Sequence, residues 1–103
     1  MKAYLIDSNQ KTVTAVDIAG LDDVKKLIDY DSVDSDEIDA SGDRLFFDES
    51  CFLRDHTGKG RFKLDTLAPV ADKGVVAGSS GDAANLKDAA VTLAALQQRI
   101  TWQ

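Results

Sequence analysis

The apolar residues of this chain come in short β-prone runs, each closed by a polar turn cluster, and that pattern restricts the fold to short strands and tight connections. Lys2–Asp7 sets Tyr4 and Ile6 on one face and Ala3 and Leu5 on the other. Apolar residues on both faces predict a strand in the interior of a sheet. Asp7-Ser8-Asn9-Gln10 is a turn cluster, and residues 12–18 bring the β-branched Thr12, Val13, Thr14, Val16 and Ile18. The two runs read as a β-hairpin. A strand near residues 37–40, a turn at Ser41-Gly42-Asp43 and a buried strand over 44–48 with Leu45, Phe46 and Phe47 come next. Residues 51–54 and Arg61–Leu64 flank the glycine-bearing loop Asp55-His56-Thr57-Gly58-Lys59-Gly60 and read as a second hairpin. Pro69 ends that segment, and Val75, Val76 and Ala77 mark a small buried strand over 74–78.

The period changes in two places. Leu21, Val24 and Ile28 fall at helical spacing with Leu27 widening the stripe, and Asp22, Asp23, Lys25 and Lys26 are ordered to suit the helix dipole. Near the C-terminus, Thr92 reads as the N-cap of a helix carrying Leu93, Leu96 and Ile100, with residues 85–90 left as loop. The fold class that follows is α+β: a mostly antiparallel sheet built from hairpins, with two short helices packed on it. At 103 residues the chain fits a single domain, 1–103. Leu5, Ile6, Val24, Ile28, Phe47, Val76, Leu93 and Leu96 are the expected core.

No apolar stretch approaches the ~20 residues of a membrane span, and Asp7 interrupts the apolar N-terminal run before it reaches signal-peptide length. The single cysteine, Cys51, has no internal partner, which fits a reducing compartment, and a cytoplasmic location is expected. A formal net charge of −6 argues against direct binding of nucleic acid, which needs a basic footprint.

The acids are concentrated. Asp29, Asp31, Asp34, Asp36, Glu37, Asp39 and Asp43 fall within residues 29–43 with no Lys or Arg among them. A solvated surface is the plain explanation. Neither register of a calcium loop fits: from Asp29 the fifth position is Val33, and from Asp34 it is Ile38. Extended, Asp34 and Asp36 would lie about 6.6–6.8 Å apart on one face, a spacing compatible with mimicry of a phosphate backbone. Arg54, Lys59, Arg61 and Lys63 form a basic counterpart in residues 54–63 that either solvates a hairpin, pairs with the acids, or contacts an anion. Gly58-Lys59-Gly60 lacks P-loop spacing. His56 has neither a metal-site companion nor a nucleophile paired with it in sequence, and Cys51 reads as a small core residue. Trp102 reads as an anchor for the C-terminus. No acid–base or nucleophile constellation converges, so no enzyme, metal or cofactor is expected.

Met1-Lys2-Ala3-Tyr4-Leu5-Ile6-Asp7, Arg44-Leu45-Phe46-Phe47-Asp48-Glu49, Lys73-Gly74-Val75-Val76-Ala77-Gly78, Val91-Thr92-Leu93-Ala94-Ala95-Leu96 and Arg99-Ile100-Thr101-Trp102 occur in that order. The ensemble resembles a domain-of-unknown-function family of short proteins encoded by bacteria, their phages and mobile elements. The resemblance implies a phage or mobile-element setting, in which small acidic proteins often inhibit host defence. The expected function is a non-enzymatic interaction protein whose acidic run engages the basic surface of a CRISPR or restriction complex. The alternative is a small-ligand or nucleotide-binding module using residues 54–63.

Overall fold

The computed structural model describes residues 1–30, 32–49, 60–67, 69–79 and 85–103. Strand β1 (Lys2–Asp7) turns through Ser8–Lys11 into β2 (Thr12–Asp17), and the pair is antiparallel from Lys2↔Asp17 to Asp7↔Thr12. Helix α1 (Leu21–Ile28) follows, then β3 (Val33–Glu37) and β4 (Asp43–Asp48), a second hairpin. Next come β5 (Arg61–Leu64), β6 (Val70–Ala71), β7 (Lys73–Ser79), β8 (Leu86–Lys87), α2 (Leu93–Arg99) and β9 (Ile100–Trp102). The main sheet runs β2-β1-β7-β4-β3, with β8 paired to the end of β7, and a small sheet runs β6-β5-β9. Every pairing among the described residues is antiparallel. The fold is α+β, as the alternating runs predict.

The period-two pattern divides the main sheet into two apolar faces. Tyr4, Ile6, Leu45, Phe47 and Val76 point to one side, where Phe62 and Leu64 of β5 and Leu96 of α2 cover them. Ala3, Phe46, Val75 and Ala77 point to the other, against Val24 and Ile28 of α1. The sheet is therefore the middle of three layers, which is why β1, β4 and β7 are apolar on both faces. Gly74 is needed at the crossing: a Cβ there would come 2.7 Å from the Phe62 ring. Leu5 and Leu93, expected in the core, are only half-buried. Leu5 packs on the rim of the α1 side and Leu93 on the rim of the other core.

Polar contacts hold the connections. The β1–β2 turn is pinned by Asp72, whose backbone carbonyl accepts from Ser8 N–H at 3.0 Å and whose carboxylate accepts from Asn9 Nδ2 at 2.6 Å. Asn9 Oδ1 accepts from Gly60 N–H at 2.8 Å, tying the turn to the start of β5.

Four elements depart from the sequence expectation, the first being β8, a two-residue strand that pairs with β7 inside residues 85–90, where the sequence predicts a loop. The strand placed at 37–40 lies at Val33–Glu37 instead. Val33 packs on the α1 side and sets the strand's start, while residues after Glu37 bend into the turn toward Gly42, where φ is +96°. Ile100 leaves the C-terminal helix and opens β9, which pairs Ile100↔Leu64 and Trp102↔Phe62. β5 therefore has β6 and β9 as neighbours, and residues 51–54, the other arm expected for it, lie outside the described residues. Among the described residues no helix is long and apolar enough to cross a membrane.

Candidate interaction surface

Among the described residues β3 forms one edge of the main sheet and pairs only to β4. Asp34 is opposite Phe47 and Asp36 opposite Leu45, so both carboxylates lie on the side that carries α2 and the small sheet. Both are exposed. Glu37 lies opposite Arg44 on the other side, 76% exposed, with its Oε1 3.6 Å from Arg44 Nη1. Asp39 lies beyond the strand end, where its Oδ2 accepts from Arg99 Nη1 at 3.0 Å. Arg99 also donates to Asp65, from Nε at 2.9 Å and from Nη2. Ser41 holds the Asp39 carboxyl below the usual carboxylate range, through its hydroxyl and its backbone N–H; Arg99 adds to the effect and burial opposes it. Among the described residues the acidic stretch thus has basic partners in Arg44 and Arg99, outside both charge runs.

The other acids of the run are dispersed. Asp29 caps α1 in the left-handed conformation, its N–H donating to Lys25 O at 2.9 Å. Asp31 lies outside the described residues. Asp43 corrects the expectation outright: it is 1% exposed and takes no part in a surface. Its Oδ1 accepts from Ala90 N–H at 2.8 Å and its Oδ2 from Val91 N–H at 2.9 Å. The carboxylate sits on the same side of β4 as Leu45 and Phe47, and it fastens the segment before α2 to the sheet. A strand begun at Asp43 rather than Arg44 would have placed it on that inward face from the period alone.

β3's edge is also capped at the middle of its backbone. Ile38 N–H donates to Asp43 O at 3.2 Å and Glu49 N–H to Ser32 O at 3.0 Å. Stepping along the register from those pairs, Val33, Ser35 and Glu37 turn their backbone groups outward. At Ser35 both are taken: N–H donates to Asp34 Oδ1 at 2.8 Å, and the carbonyl accepts from Arg44 Nη2 at 3.1 Å. Arg44 Nε also donates to Ser35 Oγ at 2.8 Å. Arg44 and Asp34 therefore cap the middle of the edge that the acids decorate.

No family model, curated protein or solved structure matches this chain. The site must be read from its own chemistry. Of the basic candidates, Arg54 and Lys59 lie outside the described residues, and Arg61 and Lys63 stand on β5 with Arg61 exposed and Lys63 half-buried. Neither Arg61 nor Lys63 lines a described cavity. His56 and Cys51 also fall outside the described residues. Among the described residues no group of three His, Cys, Asp or Glu is arranged to hold a metal. Trp102 is half-buried on β9, packed against the core on the α2 side as an anchor.

Proposed function

We propose that this chain is a non-enzymatic interaction protein of phage or mobile-element origin that binds a basic surface on a host defence complex, of the CRISPR or restriction type. The observation that carries the reading is the sheet edge at β3: Asp34, Asp36 and Glu37 exposed on five consecutive residues, with Asp39 just beyond. Asp34 and Asp36 are two residues apart on one strand face, about 6.6–6.8 Å, a spacing that suits a groove built for phosphates. Arg44 and Arg99 screen Glu37 and Asp39, so Asp34 and Asp36 carry the larger share of the unscreened charge.

The test is association with purified CRISPR effector and restriction complexes, comparing the parent with Asp34→Asn/Asp36→Asn at low and high salt. Asn keeps an oxygen able to accept from Ser35 N–H, so the edge cap survives the loss of charge. The parent should associate quickly at low salt and more slowly as salt rises, and the double variant should lose most of that salt-dependent rate. Equal rates for the two proteins across salt would reduce the acidic edge to a solvated face.

A further inference from the structure

We infer that the opposite edge of the sheet, β2, is a homodimer interface at which a second copy of this chain pairs antiparallel about a two-fold axis through Thr14. The two edges of the main sheet are built differently. β3 is charged and capped at Ser35. Thr12 to Val16 of β2 carry no charge and no proline and pair with β1 without a bulge, the strand's one acid being Asp17 at its last position; charges, prolines and bulges are the devices that protect natural edges. Among the described residues no strand pairs with its outer side.

The hydrogen-bond parity of that edge is determined. Ile18 N–H donates to Met1 O at 2.9 Å, and the Met1 amino group donates to Ile18 O at 2.6 Å. Stepping along the register, Val16, Thr14 and Thr12 turn their backbone groups toward β1, and Val13, Ala15 and Asp17 turn theirs outward. Lys2, opposite Asp17, confirms the alternation: its N–H donates to Asp88 Oδ1 at 2.7 Å and its carbonyl accepts from Ala89 N–H at 2.8 Å, on the side away from β2. In a two-fold pairing, outward residues must meet outward residues, which allows only every second register.

The register centred on Thr14 satisfies that rule and is complementary in charge. It sets Val13 opposite the second copy's Ala15 and Thr12 opposite its Val16, and it brings Lys11, the turn residue before the strand with φ +56°, beside its Asp17. The symmetry repeats each pair, so two Lys–Asp pairs close the ends of the interface. Lys11 and Asp17 are both exposed, and neither has an ion pair in the single chain among the described residues. Beside the Lys11 end lies a groove of ≈ 420 Å³, lined by Lys11 to Thr14 with Gln97 and Trp102. It leaves room on that face for the second copy's Ala15 and Asp17. Pairing joins two main sheets through their β2 strands into one continuous sheet and leaves the capped β3 edges at its ends.

Sedimentation equilibrium from micromolar to millimolar concentration tests the inference. The parent should show a monomer–dimer equilibrium. Lys11→Asp and Asp17→Lys each turn two attractive cross-strand pairs into repulsive ones and should each weaken dimerisation about ten-fold or more. An equimolar mixture of the two variants restores both pairs and should dimerise at the parent's level. Thr14→Cys, with Cys51 replaced by Ser, should form an interchain disulfide on oxidation, because residues facing each other across such an axis stand about 4.5 Å apart. Far-UV circular dichroism checks that each variant folds. A parent that stays monomeric throughout, or a mixture that dimerises no better than either variant alone, overturns the inference. So does a dimer indifferent to both charge changes. None of these readouts involves Asp34 or Asp36, so they stand apart from the test of the acidic edge.

Discussion

Asp43 brings a carboxylate into a position 1% exposed, and two amide groups meet it there. Ala90 and Val91 N–H precede α2 and have no strand partner among the described residues, so the carboxylate satisfies part-buried donors that the sheet leaves unpaired. Asp43→Ala removes both acceptors at once and should cost about 2–3 kcal/mol, read as a lower urea midpoint with an unchanged slope. A variant as stable as the parent would show that the two amides find water instead. Asp39 illustrates the opposite case, an exposed acid held by Ser41 and Arg99. Its folded-state pKa is depressed, so its contribution is present above the unfolded carboxylate range, about 3.9, and is lost as pH falls through the lower folded value. Asp39→Asn should therefore lower stability slightly at neutral pH and leave a shallower loss on acidification below about pH 4, measured by thermal melts along a pH series. Identical pH profiles for the two proteins would mean that the Ser41 and Arg99 contacts are not held in solution.

At the scale of elements, α2 depends on its cap and on one buried contact. Thr92 Oγ1 accepts from Ala95 N–H at 3.2 Å, and Leu96 is fully buried between the helix and the sheet. Thr92→Ala should cost about 1 kcal/mol and Leu96→Ala about 2–5 kcal/mol, compared by denaturant midpoint. The reverse ranking would place the helix's anchor elsewhere. The long runs were legible because their periods are unambiguous: β1, β2, α1, β4 and β7 emerge from alternation or from i, i+3, i+7 spacing. The two-residue strands β6 and β8 are too short to show a period. β9 was hidden for a different reason. Ile100 falls four residues after Leu96, so it extends the helical stripe, although Ile100-Thr101-Trp102 is rich in β-formers. The acidic surface was half legible. Counting acids located Asp34, Asp36 and Glu37, but it treats every carboxylate alike and cannot separate Asp43, which faces two amides, from Asp36, which faces solvent. The Arg44 and Arg99 partners were invisible to it because they come from a neighbouring strand and from the far end of the chain.

For the whole molecule, the two edges of the main sheet differ in what they offer another strand. An open β2 and a β3 capped at Ser35 make the proposed assembly finite along the main sheet: among the described residues, pairing at β2 uses that sheet's uncapped edge, and its growth stops at the second copy. The stop depends on a few groups. Arg44 and Asp34 occupy the outward backbone of Ser35, and Asp34, Asp36 and Glu37 repel a second acidic edge brought alongside. Replacing Arg44 by Met, Asp34 by Ala and Asp36 by Thr should free Ser35 N–H and C=O and remove two acids from the edge. β4 keeps its ladder to β7, because none of these side chains takes part in it. A chain with two receptive edges has no closing symmetry and can extend head to head and tail to tail without limit. The triple variant should form species larger than a dimer as concentration rises, visible as a growing fast-sedimenting fraction and increased light scattering, while the parent levels off. Adding Lys11→Asp to the triple variant should weaken the β2 contact and shorten those assemblies again. If the triple variant sediments like the parent at every concentration, then the Ser35 cap and its acids do not limit assembly, and the density of acids on β3 is left to partner binding alone.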